Sequence, residues 1–461
     1  MLTYSHQKGV TCMYTEGRKD LQALGGDLIA AYRVDPANYA CGTVRRGLRN
    51  ADGTGVTVGV TRVGSVQGYY VRDERKVAMP GELYYRGVRV TDLVDSHRRL
   101  DVFGFEETVY LLLFGVLPDS AQSARFRKVL TAARKLPDSF FEDMILKAPT
   151  RDMMNALERS VLALYCYDDR PDDVSPENVL RQSVELIARF PTIVANAYAV
   201  KRHIFDDDSL TVHIPDPSLT AAEDFLRMIR PDKRYTDGEA KLLDLMLTLH
   251  AEHGGGNNSA FSCRCVTSTG TDTYSAIAAA VGSLKGPLHG GANGKVTEML
   301  DLAKAELPAR SDEAVRDWLV KVLAGEAGDR SGKIYGLGHA VYTESDPRAV
   351  AIRKYARDMA EQTGFAADLE LLETIERVGV PLLMERLCRK LPMCANVDLY
   401  SGLVYAMLGI PRELYTPLFA IARIAGWSAH RLEELISGGR IMRPAYRAEM
   451  TAAPYVPMAA R

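Results

Sequence analysis

From Glu106 onward the chain reads as one helix-length apolar stripe after another. Glu106 to Phe114, Ala121 to Lys135, Asp152 to Tyr165, Val179 to Ile204, Ala221 to Met228 and Gly238 to His250 carry apolar residues at i, i+3, i+4 spacing. Polar residues or Pro/Gly breaks separate them, which is the mark of amphipathic helices with stops between them. Strand and helix do not alternate, no repeat of fixed period occurs, and the G-x-G-x-x-G and P-loop fingerprints are absent. A parallel-sheet nucleotide-binding fold is therefore not expected, and layered helices are, an all-α fold. One minor β element is expected near the N-terminus, at about 57–90. There Val58, Val60, Val63, Val66, Tyr69 and Val71 are punctuated by glycines, and Gly81 to Val88 continues the texture. Residues 1–50 are polar, with helical patches such as Asp20 to Leu24.

At 461 residues the chain can bury a large core and is expected to form at least two domains. Its 57 Lys+Arg nearly balance 59 Asp+Glu, so nothing points to nucleic acid or another polyanion. The basic piece Arg45-Arg46-Gly47-Leu48-Arg49 reads as solvated surface. Seven cysteines, an odd number in a long chain, argue for reduced thiols rather than a disulfide framework. The segment from Met1 to Gln22 is mixed and polar rather than a basic-then-apolar leader, and no apolar run approaches the ~18 residues that span a bilayer. A cytoplasmic protein without a membrane partner is expected.

Chemistry-bearing residues collect at helix breaks. An Ala-rich helix from Tyr274 to Leu284 should stop at Gly286-Pro287, leaving His289 at the break before Gly290 and Gly291. A titratable ring there suits acid–base work, and equally suits capping of helix-end carbonyls. His250 and His253 close another helix at i and i+3, neighbours on one face that can share a metal. The zincin order is absent, however, and no third ligand follows at ligand spacing, so no metal is assigned. The loop Gly254 to Ser259 is rich in donors suited to an anion. His339 again follows glycines, in Tyr335-Gly336-Leu337-Gly338-His339-Ala340-Val341-Tyr342. Asp346-Pro347-Arg348 then reads as a helix start, with Asp346 as N-cap. Arg348 in the first turn opposes the helix dipole, which suggests an anion beside it, although a plain surface Arg also fits. Asp398 precedes an apolar helix read from Leu403 to Leu408, either as an N-cap neighbour or as a base partnered with His289 and His339. Arg423 falls on a helix from Leu418 to Trp427, and Arg443 lies in Met442-Arg443-Pro444.

Taken together these stretches resemble the citrate synthase family. They carry G-P-x-H-G-G-A-N at His289, G-x-G-H-x-V-Y at His339, D-P-R at Arg348, N-V-D-x-Y-S-G at Asp398 and the late R-P at Arg443. Fifty residues separate His289 from His339 and fifty-nine separate His339 from Asp398. The similarity runs from the β element to the last helix.

The resemblance implies a nearly all-α, two-domain homodimer. Its large domain would span 1–290 and regain 410–461, and its small domain, 291–409, would close over the cleft. The implied reaction condenses acetyl-CoA with oxaloacetate and hydrolyses citryl-CoA to citrate and CoA, with no cofactor. A thioester methyl is a weak carbon acid and needs a base together with stabilisation of the enolate oxygen. The family pattern gives the base to Asp398, the thioester carbonyl to His289 and the ketone to His339. It gives the oxaloacetate carboxylates to His253, Arg348, Arg423 and Arg443, the last reaching the neighbouring subunit's site. Three guanidiniums suit two carboxylates. Two positions depart from the family. Three glycines, not two, precede Asn257, and Thr343-Glu344 stands where a basic residue usually contacts CoA phosphate, so no phosphate contact is assigned. A 2-methylcitrate synthase taking propionyl-CoA would carry the same residues, since one methylene is worth only ~1–3 kcal/mol in a pocket. A metal-dependent hydrolase using His250 and His253, and a non-catalytic helical scaffold, are the readings from other classes.

Overall fold

The computed structural model describes residues 32–39, 44–73 and 75–460. The helical patch read at Asp20 to Leu24 lies outside them. The chain forms two compact units, residues 1–58 with 443–461 and residues 59–442. In the first, 3-10 turns occur at Pro36–Tyr39 and Arg46–Leu48, and the Arg447 guanidinium donates to the Asn38 carbonyl at 3.0 Å. The basic run Arg45 to Arg49 is exposed, as expected of solvated surface. Arg443 is an exposed residue of this unit.

The second unit opens with a three-stranded antiparallel sheet: β1 (Gly64–Arg72), β2 (Arg75–Tyr85) and the short β3 (Val88–Arg89). The sheet lies within the expected 57–90 but starts later, at Gly64. Residues 57–63 form no strand, and Val58 and Val60 are exposed, because β-branched residues without a pairing partner do not make a ladder. Helices follow. α1 (Val90–Leu100), α2 (Phe105–Phe114), α3 (Ser120–Ala132), α4 (Met153–Leu164) and the long α5 (Pro176–Phe205) come first. Next are α6 (Ala221–Ile229), α7 (Asp237–His250), α8 (Asn258–Thr267) and α9 (Thr273–Lys285). α10 (Ala292–Glu306), α11 (Asp312–Ala324), α12 (Pro347–Thr363), α13 (Ala366–Arg386) and α14 (Asp398–Met407) lead to α15 (Tyr415–Ile436). The protein is thus mostly helical with one small N-terminal sheet. No helix among the described residues is long and apolar enough to cross a membrane.

α15 is the axis of the core. It is buried without a break from Leu418 to Leu432 and packs against α5, α7, α8 and α9. A helix apolar on all sides belongs inside a helical body. α15 nevertheless buries Arg423, His430 and Arg431 completely. Arg431 is satisfied by Thr273 Oγ1, Thr267 Oγ1 and the Thr271 carbonyl. Arg423 is not, and that difference locates the site.

Candidate active site

Two strips of loop meet ahead of α12 and α14. Leu337 pairs with Ala395 in an isolated antiparallel bridge, the Gly338 N–H donates to the Cys394 carbonyl at 2.8 Å, and the Asn396 N–H to the Gly336 carbonyl at 2.9 Å. The Asn396 side chain completes the seam. Its amide donates to the Gly338 carbonyl at 3.0 Å and its oxygen accepts the Asp398 N–H at 3.0 Å. Gly336 has φ +82° and lies against Leu399, where a Cβ would fall 2.8 Å from a side-chain carbon, so glycine is required there. His339 and Asp398 are therefore set by one seam.

α14 begins at Asp398 itself, five residues before the expected Leu403, with Val397 at the N-cap position. The Asp398 carboxylate accepts no hydrogen bond from the described residues. Burial raises its pKa to about 6, with Asp346 adding to the rise and Arg348 and Arg423 pulling against it. A carboxylate with open lone pairs and a pKa near the working pH is what a general base needs. His339 Nδ1 accepts the N–H groups of Val341 and Tyr342, each at 3.0 Å, so the neutral ring carries its proton on Nε2 as a donor. His339 stacks on Tyr342 at 4.4 Å between centroids and meets the edge of His253 at 5.2 Å. His253 Nε2 lies 3.2 Å from the Tyr342 hydroxyl.

His289 occupies the turn between α9 and α10. α9 stops at Gly286, which takes an extended φ of −56°, not the left-handed conformation of a glycine stop; Pro287 imposes this on its predecessor. His289 Nε2 faces Ser259, at 3.4 Å from its N–H and 3.1 Å from Oγ. A backbone N–H can only donate, so Nε2 is the acceptor and Nδ1 holds the proton. Trp427 Nε1 donates to the same Oγ at 3.1 Å. Burial, then the charge of Arg423, lowers the His289 pKa to about 4, which makes the ring a neutral donor. Burial and the neighbouring guanidiniums likewise push His253 and His250 well below the ordinary imidazole range.

The expected anion beside Arg348 proves first to be Asp346. Arg348 Nε and Nη2 reach its two carboxylate oxygens at 3.0 and 2.7 Å, and Asp346 also caps α12 through the Arg348 N–H. Burial works against the charge of Arg348, but Asp346 outweighs it and raises the pKa above the ordinary value. Arg423 is fully buried, donates from Nε to the His250 carbonyl at 2.6 Å, and leaves both Nη atoms without a partner among the described residues. Its guanidinium lies 4.6 Å from the Phe419 ring, on which His250 stacks. Burial lowers its pKa to about 10, so it remains a cation. Its field reaches His250, His253, His289 and Asp398.

The second unit thus gathers His253, His289, His339, Arg348, Arg423 and Asp398. Arg443 belongs to the first unit. Sequence reasoning passed over Tyr342, Ser259 and the pairing role of Asp346, although all three lay within the quoted stretches. His250 is fully buried, neither ring nitrogen is bonded among the described residues, and Glu252 is bonded to His430. Among the described residues no group of three or more His, Cys, Asp or Glu is arranged to hold a metal. Thr343, at the departure noted in the sequence, is buried. Its hydroxyl accepts the Met79 N–H at 3.2 Å and bonds the Gly68 carbonyl, fastening the His339 loop to β1 and β2.

This geometry can be set beside known proteins. The family model "Citrate synthase, C-terminal domain" matches residues 52–445. A citrate synthase of Synechocystis sp. is 37% identical over 364 residues, 79% of this chain and 84% of the relative. 2-Methylcitrate synthase 1 of Corynebacterium glutamicum is 33% identical over 368 residues, 78% of this chain and 87% of the relative. Among solved structures, the ternary complex of Thermoplasma acidophilum citrate synthase with carboxymethyl coenzyme A and oxaloacetate superposes with a TM-score of 0.74. It is 26% identical and the match covers 91% of this chain and 99% of that one. The fold and its relatives define a helical enzyme of the acyl-transferring class. The chain belongs to the citrate synthase family.

Proposed function

We propose that the protein is a citrate synthase, condensing acetyl-CoA with oxaloacetate and hydrolysing the resulting citryl-CoA to citrate and CoA. The observation that carries this reading is Arg423, a buried cation with two open Nη donors beside Arg348, His253 and the open carboxylate of Asp398. A buried guanidinium left open calls for a carboxylate of the ligand. Oxaloacetate is a dianion, and Arg348, Arg423 and His253 bind it, with Arg443 contributed across a homodimer interface. His339 donates its Nε2 proton to the ketone oxygen. Asp398 takes a proton from the acetyl methyl while His289 Nδ1–H stabilises the developing enolate oxygen. The enolate carbon attacks the polarised ketone, and His339 supplies the alkoxide with its proton. No cofactor enters this scheme.

Closure of the segment 291–409 over the cleft excludes water during enolate formation and readmits it for thioester hydrolysis. Relatives named citrate synthase and 2-methylcitrate synthase both occur, so the acyl group is tested directly. The kcat/KM for acetyl-CoA, measured by oxaloacetate-dependent CoA release, is expected to exceed that for propionyl-CoA. A reversed ratio replaces this reading with a 2-methylcitrate synthase, and no release with either thioester removes both.

A further inference from the structure

α15 holds the segment that carries His253 by three points on one face. Arg423 Nε donates to the His250 carbonyl at 2.6 Å, the Gly426 N–H to the Ala251 carbonyl at 3.1 Å, and His430 Nε2 lies 2.9 Å from Glu252 Oε1. Positions 423, 426 and 430 follow i, i+3, i+7, so they share a face. Glu252 and His430 are completely buried. Glu252 Oε1 also accepts the Gly254 N–H, and Oε2 lies against Gly426, where any Cβ would collide with it. Behind His430 stands Arg264, whose Nε and Nη2 reach His430 Nδ1 at 3.1 and 2.9 Å. Arginine only donates, so Nδ1 is an acceptor and Nε2–H must point at Glu252. Arg264 is anchored in turn by Glu434, at 2.8 Å, and by Glu433.

Burying such a chain of charges is unfavourable unless each member is paired, and an apolar core of the same volume would hold α15 as well. Its distinctive product is the orientation of one carboxylate. Glu252 lies between the Gly254 turn that follows His253 and the guanidinium of Arg423, whose charge it offsets. We propose that His430 is a positioning residue for the oxaloacetate site, acting through Glu252 to fix His253 and Arg423 while touching no substrate itself. The proposal rests on the oxaloacetate reading above.

Two variants separate the ends of the relay. His430→Asn keeps an acceptor for Arg264 but is too short to reach Glu252. His430→Gln extends an amide N–H to Glu252. Titration calorimetry with oxaloacetate on the full-length protein is expected to show about ten- to a hundredfold weaker binding for His430→Asn, the scale of one charge-assisted hydrogen bond. The KM for acetyl-CoA should stay within about twofold, and His430→Gln should recover most of the loss. Equal oxaloacetate affinity in wild type and folded His430→Asn overturns the relay alone, as does a loss shared by both substrates that glutamine does not repair. Wild type that binds no oxaloacetate overturns the functional reading and the relay with it. In the unaltered protein, the Nε2 proton resonance of His430 should move when oxaloacetate is added and stay put with acetyl-CoA alone. An unmoved resonance counts against the relay even if neither variant folds.

Discussion

At Asp398, the burial that suits the carboxylate to the proposed role of base also works against the fold. Its pKa stands at about 6 against an ordinary 3.8, so the folded protein holds that proton more tightly than the unfolded chain. The group is therefore harmless to stability below about pH 4, and its penalty grows as pH rises through about 6. The shift is worth at most about 3 kcal/mol, and about 2 when partial exposure is allowed for. Asp398→Asn should accordingly raise the denaturation midpoint of the ligand-free protein at pH 8 and leave it nearly unchanged at pH 4. A variant less stable than wild type at both pH values contradicts this account of the site. Catalysis has the opposite dependence, because only the carboxylate accepts a proton, so kcat/KM for acetyl-CoA should fall as pH drops through about 6. His289, with its pKa near 4, stays neutral across that range and adds no limb of its own there. For His339 the fixed tautomer gives a spectroscopic expectation. The ketone stretch of bound oxaloacetate should shift to lower frequency in wild type and return toward the free value in His339→Gln. An unshifted stretch in the wild-type complex removes His339 from that role.

The seam between residues 336–339 and 394–398 is the element on which the proposed chemistry depends. Gly336→Ala would place a methyl group against Leu399 at a left-handed φ, straining the backbone that holds both His339 and Asp398. The expected result is a loss of at least about tenfold in kcat with a folded protein, checked by steady-state kinetics beside circular dichroism. Full activity would show that the seam is not what sets the two residues. Much of this region was legible in the sequence as motifs, because glycines, a Pro-led helix start and the charged residues stand at helix breaks. Its staples were not, since the value of Asn396 and Asp346 lies in contacts with residues 51 to 58 positions away in the chain. Helix positions from α2 to α7 came within a few residues of expectation, wherever an apolar stripe faces the core. α14 was read too short because the polar Asp398 and Ser401 in its first turn interrupt the apolar run. α1 was left unassigned between the β element and Glu106, although Val90, Leu93 and Val94 form its buried stripe. The exposed valines at 58 and 60 show the reverse error, strand propensity without a partner strand.

On the scale of the whole molecule, the proposed function has Arg443 act in the site of a neighbouring subunit. Mixing Arg443→Ala chains with Asp398→Asn chains tests this, since each parent homodimer should be nearly inactive. Random pairing makes half the dimers mixed, with one intact site in two, so about a quarter of wild-type activity should return. Verified mixed dimers without recovered activity would place Arg443 in its own subunit's site or outside it. The central claim, that these residues join acetyl-CoA to oxaloacetate, is tested most directly by release of free CoA thiol from acetyl-CoA. Wild type should release CoA only when oxaloacetate is present. Asp398→Asn should bind oxaloacetate about as well as wild type by calorimetry and yet release CoA at a rate lower by about a hundredfold or more. Release that does not depend on oxaloacetate, or near-normal release by the folded Asp398→Asn protein, would contradict the account.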